Sequence, residues 1–156
     1  MSIVAGKSLV STLLVCYLAP NNMSWARIVL AALAGGIVTS ITDWLFMGSD
    51  WLYKRYDRHP EIWRFSGQGE TKAVIWASLL PFLTCFAFAI TCGWLHLHTF
   101  GASFTLALAV WIIASLPLTV ANTLFMKVSP AIATAHTLGW LVKLTIAAAA
   151  VALIVR

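Results

Sequence analysis

Four long apolar stretches follow one another along the chain and are separated by polar segments. They cover residues 28–47, 73–94, 102–126 and 131–155. The hydrocarbon core of a membrane takes about 20 mostly apolar residues per helix, and each stretch reaches that length. The pattern therefore predicts an all-α integral membrane protein with four transmembrane helices, called spans 1 to 4 here.

The connections between the later spans are short. Residues 95–101 join spans 2 and 3, and residues 127–130 join spans 3 and 4. Short loops make consecutive helices antiparallel neighbours, so we expect an up-down bundle over residues 23–156.

The first 22 residues form a separate hydrophobic segment that allows three interpretations. Residues 3–20 are apolar apart from Lys7 and some hydroxyl side chains, which fits a signal peptide, a fifth span or an extension before Met23. Signal peptides end in a small-residue cleavage pattern, and none precedes Met23. A fifth span or an extension is therefore favoured over a signal peptide.

Composition narrows the class of protein. Hydrophobic residues make up 61% of the chain and charged residues 10%, whereas a soluble domain has about 25% charged residues. So little charge cannot cover a water-facing surface, and disordered chains are rich in charge and poor in aromatic residues. The net charge of +5 comes from side chains beside apolar stretches, which indicates membrane topology and anionic lipid rather than nucleic acid.

The loop of residues 48–72 and the turn after span 3 hold most of the basic side chains. These are Lys54, Arg55, Arg58, Arg64, Lys72 and Lys127. Basic loops stay in the cytoplasm, so we expect a multi-pass protein of the bacterial inner membrane with this side inward. If residues 3–20 span the membrane, Lys7 lies inside as well, which favours five spans. Aromatic side chains in the loop predict contact with anionic headgroups, with a docking surface for a partner as the alternative.

Polar side chains inside the spans are the candidate functional residues, because ionisable groups are costly in a membrane. Asp43 lies near the inner end of span 1, Asn122 near the inner end of span 3, and His136 and Lys143 share one face of span 4. We expect them to converge in the inner half of the bundle. They would form either a polar clamp between helices or a proton or ion pathway, and Lys143 would either pair with Asp43 or extend towards water.

Small residues at helical spacing indicate close helix packing in two spans. Ala32 and Gly36 lie on one face of span 1, and Ala135 and Gly139 on one face of span 4. Such residues let helix backbones approach one another. We expect these faces to be the main contact surfaces, including those of a homo-oligomer or a larger membrane complex.

The remaining side chains predict no cofactor, no metal site and no enzyme. The cysteines lack a CxxC pair and are expected to pack as small apolar residues, while His96 and His98 occupy an outer loop. No nucleophile elbow, phosphate-binding loop or HExxH pattern occurs. Pro81 and Pro117 predict kinks in spans 2 and 3, with an apolar groove between those spans if the protein binds lipid or quinone.

The chain resembles the small bacterial four-span proteins of domain-of-unknown-function family 1761. The resemblance rests on the Phe-Met-Gly-Ser-Asp-Trp stretch at residues 46–51 and on the basic, proline-containing turn and helix start at residues 127–140. It covers about residues 23–155 and implies a four-span fold without an established activity.

Three functions remain open from the sequence. The favoured one is a small inner-membrane protein with a non-enzymatic structural or accessory role. The second is a small proton- or ion-coupled transporter or channel that uses Asp43, Asn122 and His136. The third is a protein that binds lipid or quinone.

Overall fold

The computed structural model describes residues 24–47 and 70–155, and both ranges are helical apart from short connections and ends. Four helices are long and apolar enough to cross a membrane, over Trp25–Phe46, Thr71–Trp94, Phe100–Phe125 and Pro130–Ile154. The predicted four-span, all-helical membrane fold is thereby confirmed. The N-terminal segment 1–22 and all but the last few residues of the basic loop 48–72 lie outside the described residues, so the predictions about them stay predictions.

The helices extend slightly beyond the predicted apolar stretches at their starts. Span 1 is Trp25–Met47, span 2 is Glu70–Trp94 and span 4 is Pro130–Ile154. Span 3 has two α-helical halves, Phe100–Val110 and Leu116–Phe125, joined by a π-helical turn. The side chains of Thr99 and Ser129 accept hydrogen bonds from backbone N–H groups at the starts of spans 3 and 4, as N-capping residues do.

Span 4 is the central helix of the described bundle. It packs against all three other spans, and span 1 also packs extensively against span 2. Spans 1, 2 and 4 thus form one group, called the three-helix group here. Span 3 packs on span 4 and shares no substantial contact with span 1 or span 2 among the described residues. Spans 2 and 3 do not lie side by side in the described part of the chain, so the groove expected between them for a lipid- or quinone-binding protein does not form there.

Glycines bring the helices of the three-helix group close together. A Cβ atom on Gly36 would overlap the ring of Phe82 in span 2, at 2.7 Å from Cγ and 2.8 Å from Cε1. A Cβ on Gly139 of span 4 would lie 3.4 Å from the Cβ of Phe46 in span 1. With Ala32 buried and Ala135 half-buried, the small-residue faces pack largely within the chain. These residues therefore contribute to helix packing within the chain, and the expected role of the same faces in contact with a partner stays a prediction.

The core consists mainly of small side chains, and many large apolar side chains point outward. The buried small residues are Ala31, Ala32, Cys85, Ala89, Cys92, Ala107, Ala133, Ala147, Ala148, Ala150 and Ala152. Outward Leu, Ile, Val and Trp side chains gain little from leaving lipid, since lipid tails are equally apolar. The helices are therefore held by close van der Waals contact and by polar contacts rather than by the hydrophobic effect.

The π-helical turn Trp111–Ser115 lies immediately before Pro117. A proline inside a helix lacks an N–H donor and its ring clashes with the carbonyl four residues back. The backbone widens here, so that the N–H of Leu116 donates to the carbonyl of Trp111, five residues earlier. Pro81, in contrast, lies buried within an unbroken α-helix. The two prolines therefore have different effects on their spans.

Candidate functional site

An ion pair joins span 1 to span 4 inside the bundle. Lys143 Nζ lies 2.6 Å from Asp43 Oδ2, and the two side chains are 6% and 20% exposed. Lys143 lies near the middle of span 4. Helical side chains slant towards the helix N-terminus, so its long stem carries the ammonium back towards the level of Asp43. The sequence offered this pairing as one of two alternatives for Lys143, and the structure contains it.

The ring of Trp140 supplies a second contact to the same ammonium. Lys143 Nζ lies 4.4 Å from the ring centroid, within the range of a cation–π interaction. Trp140 precedes Lys143 by three residues and so lies on the same helix face. This role was not assigned to Trp140 from the sequence.

His136 lies on span 4, seven residues before Lys143, and so on the same face of that helix. Its side chain is half-buried. Of the four predicted polar residues, the structure thus joins Asp43 and Lys143 directly and places His136 two turns away on the face of span 4 that carries Lys143.

Asn122 has a different setting. It is half-buried in the second half of span 3, which packs on span 4 and has no substantial contact with span 1 in the described part of the chain. Its backbone carbonyl accepts a hydrogen bond from Met126 N–H at the helix end. Within the described residues, Asn122 is therefore not among the neighbours of Asp43.

A buried hydroxyl and thiol lie one turn along span 1 from Asp43. The Thr39 hydroxyl lies 2.8 Å from the Gly35 carbonyl, to which it donates, and 3.8 Å from Cys85 Sγ in span 2. Sequence reasoning gave Cys85 a packing role and did not single out Thr39 as its neighbour. The spacing of Thr39 and Asp43, four residues apart on one helix face, was the available signal.

Most other hydroxyl groups in the spans donate to their own helices. Each of the following donates to the carbonyl four residues earlier: Ser40, Ser78, Thr84, Thr91, Thr105, Thr119, Thr123, Thr134, Thr137 and Thr145. Such bonds satisfy hydroxyl donors in an apolar medium. Most of these protons are consequently bound within single helices, and the Ser40 hydroxyl also lies 3.5 Å from the Ser78 carbonyl of span 2.

The connection between spans 2 and 3 contains the two remaining histidines. The ring centroids of His96 and His98 are 6.2 Å apart, and His96 has a left-handed backbone conformation with φ of 56°. Within residues 24–47 and 70–155 no three His, Cys, Asp or Glu side chains are grouped to hold a metal ion.

No family model, curated protein or solved structure matches the chain. The resemblance to domain-of-unknown-function family 1761 therefore stays a prediction, and the function has to be argued from the geometry.

Proposed function

We propose that this multi-pass membrane protein has a non-enzymatic structural or accessory role in the bacterial inner membrane. In this proposal Asp43 and Lys143 form a polar clamp that fixes spans 1 and 4. The observation that carries it is the 2.6 Å contact between the two opposite charges, in which each charge neutralises the other.

The surroundings of the pair favour a clamp over a conducting path. The Trp140 ring covers the ammonium, and Gly139 and Phe46 bring the two helices together close to it. Most of the hydroxyl groups that could extend a path donate within their own helices. A polar contact between membrane helices contributes about 0.6 kcal/mol on average, and breaking a buried ion pair costs more, because it leaves one charge unpaired.

The accessory role rests on the unequal burial of the spans. In the most apolar part of span 3, only 6% of the residues are buried within the chain, whereas the corresponding share in span 4 is 39%. The outward side chains of span 3 include Ile113, at 77% exposed, and Phe125, at 88% exposed. Span 3 therefore has the largest surface for another membrane protein or a second copy of this chain.

The second candidate function is proton- or ion-coupled transport. It is favoured by His136, an ionisable side chain on the face of span 4 that carries Lys143, and by the 20% exposure of Asp43. A pathway would use the same residues as the clamp, so the two candidates need an experiment that separates activity from stability.

Flux through liposomes makes this separation. The purified chain is reconstituted, and proton and potassium flux are measured against empty liposomes, for the wild type and for Asp43→Asn. A clamp predicts background flux in both and a less stable variant. Flux above background that disappears in a folded Asp43→Asn protein would establish transport instead.

Site-specific photo-crosslinking in native membranes tests the accessory role. A crosslinking residue at Ile113 of span 3 should capture another membrane protein or a second copy. Leu83 of span 2, which is 63% exposed, is the matched control and should capture little protein. Equal capture at both positions would contradict a dedicated surface on span 3.

A further inference from the structure

An apolar groove lies between spans 3 and 4, near the turn that joins them. Its volume is about 400 Å³. The lining residues that matter here are Trp111, Thr123, Leu124, Pro130, Thr134 and Leu138. The groove lies outside the ion-pair site, since neither Asp43 nor Lys143 lines it.

The backbone of span 3 explains where the groove is. At its deep end the Trp111 indole N–H donates to the Thr137 carbonyl of span 4, at 2.8 Å, which ties the two helices together. The π-helical turn and Pro117 follow directly, and beyond them the second half of span 3 packs less closely on span 4. The groove therefore runs from the hydrogen bond between Trp111 and Thr137 to the turn between spans 3 and 4, towards the membrane surface.

The lining suits a hydrocarbon chain rather than a polar ligand. The surface is almost wholly apolar, and the hydroxyl groups of Thr123 and Thr134 donate to carbonyls of their own helices. Polar groups without partners are unfavourable in an apolar site, so a sugar or a charged molecule would lose its hydration there without gaining hydrogen bonds.

A positively charged side chain lies in the turn at the open end of the groove. Lys127 is exposed in the turn, between Leu124 and Pro130, which both line the groove. The N-terminal end of span 4 begins at the same turn and adds the positive end of a helix dipole. A basic side chain at the membrane surface attracts anionic lipid headgroups.

From this complementarity we infer that the groove binds one acyl chain of an anionic phospholipid, with the lipid phosphate beside Lys127. This site goes beyond the proposed clamp and does not depend on it, because it uses spans 3 and 4 and none of the ion-pair residues. The lipid fills the space that the π-helical turn opens and so supports the loosely attached half of span 3.

Native mass spectrometry of the purified chain, exchanged into equal amounts of phosphatidylglycerol and phosphatidylcholine, tests the inference. The wild type should retain one phosphatidylglycerol in preference. Lys127→Gln should reduce that preference by about fivefold, the effect expected of one basic side chain near an anionic surface. Thr134→Phe, which fills the groove, should abolish retention of either lipid.

Two control variants isolate the site. Arg27→Gln removes another exposed cation, near the start of span 1, and Leu153→Phe enlarges a side chain of span 4 that is 72% exposed and outside the groove. Both should retain lipid as the wild type does. Equal retention of the two lipids by the wild type, unchanged retention in Thr134→Phe, or an equal loss in Arg27→Gln would each overturn the inference. A neutral lipid or a second copy found in the groove would also overturn it.

Discussion

Span 4 packs against its neighbours in two different ways. Towards spans 1 and 2 it presents glycine, alanine and Lys143, and the helices meet at close range with an ion pair between them. Towards span 3 it has a hydrogen bond from Trp111 and then an open apolar groove. The same helix thus belongs to a tightly packed group on one side and a loose contact on the other.

This difference illustrates what holds helices together in a membrane. Apolar side chains gain little by exchanging lipid for protein, so close packing requires small residues, and polar contacts add to it. The three-helix group has both, whereas the second half of span 3 has neither at the groove. We therefore expect mutations in the three-helix group to change global stability, and mutations in span 3 to change local structure and ligand binding.

The largest effect should come from Gly36, where span 1 packs directly on the Phe82 ring of span 2. Gly36→Leu forces a side chain into the Phe82 ring, and overpacking of this kind costs about 1–3 kcal/mol, occasionally more. We expect the variant to be poorly folded, measured as a lower thermal unfolding midpoint and loss of the monodisperse peak in detergent.

Gly101→Leu is the matched control for this substitution. Gly101 lies in the first turn of span 3, and a Cβ atom there would have no neighbour within 4 Å. The stability of this variant should stay close to that of the wild type. An equal loss in both variants would mean that the tight packing at Gly36 contributes nothing particular.

The ion pair should have the next largest effect. Asp43→Asn or Lys143→Met leaves one charge unpaired. Each substitution should reduce the free energy of unfolding by about 2 kcal/mol. This value lies between the average for polar contacts of membrane helices and the cost of breaking a buried ion pair. The double variant should lose less than the sum of the single losses, because it leaves no unpaired charge. Denaturant unfolding in detergent micelles measures all three.

Lys72→Met serves as the control for Lys143→Met. Lys72 is exposed near the start of span 2, so its loss should leave global stability nearly unchanged. Additive losses in the double variant of Asp43 and Lys143 would contradict an energetic coupling between the two residues.

Much of the fold could be predicted because apolar length alone determines how many helices cross a membrane. The four spans and their approximate bounds follow from this constraint. The pairing of spans is harder to predict, because a small-residue face does not specify its partner. Gly36 packs on span 2 and Gly139 on span 1, which the spacing of small residues left open.

The site was predictable in part for a related reason. Charged residues in spans stand out in a sequence, so Asp43, His136 and Lys143 could be named from it. The depth at which Lys143 meets Asp43 depends on the direction in which the lysine side chain slants along its helix. The helix geometry sets that direction. Asn122 is as conspicuous in the sequence as Asp43, but span 3 lies against span 4 only. The groove had no sequence signal beyond Pro117, since a π-helical turn leaves no periodic pattern of its own.

A smaller effect is expected at the contact between spans 3 and 4. Trp111→Phe keeps the aromatic ring but removes the indole donor to the Thr137 carbonyl. The loss should be about 0.6 kcal/mol, typical of hydrogen bonds between membrane helices, and should appear as faster amide exchange in span 3 than in the three-helix group. Trp76→Phe is the control, since Trp76 is 71% exposed on span 2. Equal acceleration in all spans would mean that span 3 is not attached separately.

The smallest change in stability, with the clearest change in structure, should follow from Pro117→Ala. The new N–H would bond to the Ile113 carbonyl four residues back and favour regular α-helix over the π-helical turn. Because one residue corresponds to about 100° of helix rotation, the second half of span 3 should rotate and the groove should narrow. The gained backbone hydrogen bond and the lost side-chain contacts nearly offset each other, so stability should change by less than about 0.5 kcal/mol.

Spin labels at Leu124 and Leu138, in a background without native cysteines, would measure the changed distance between spans 3 and 4. Pro81→Ala, which lies in a helix without a π-helical turn, should leave that distance unchanged, and an unchanged distance in Pro117→Ala would mean that the proline does not cause the groove.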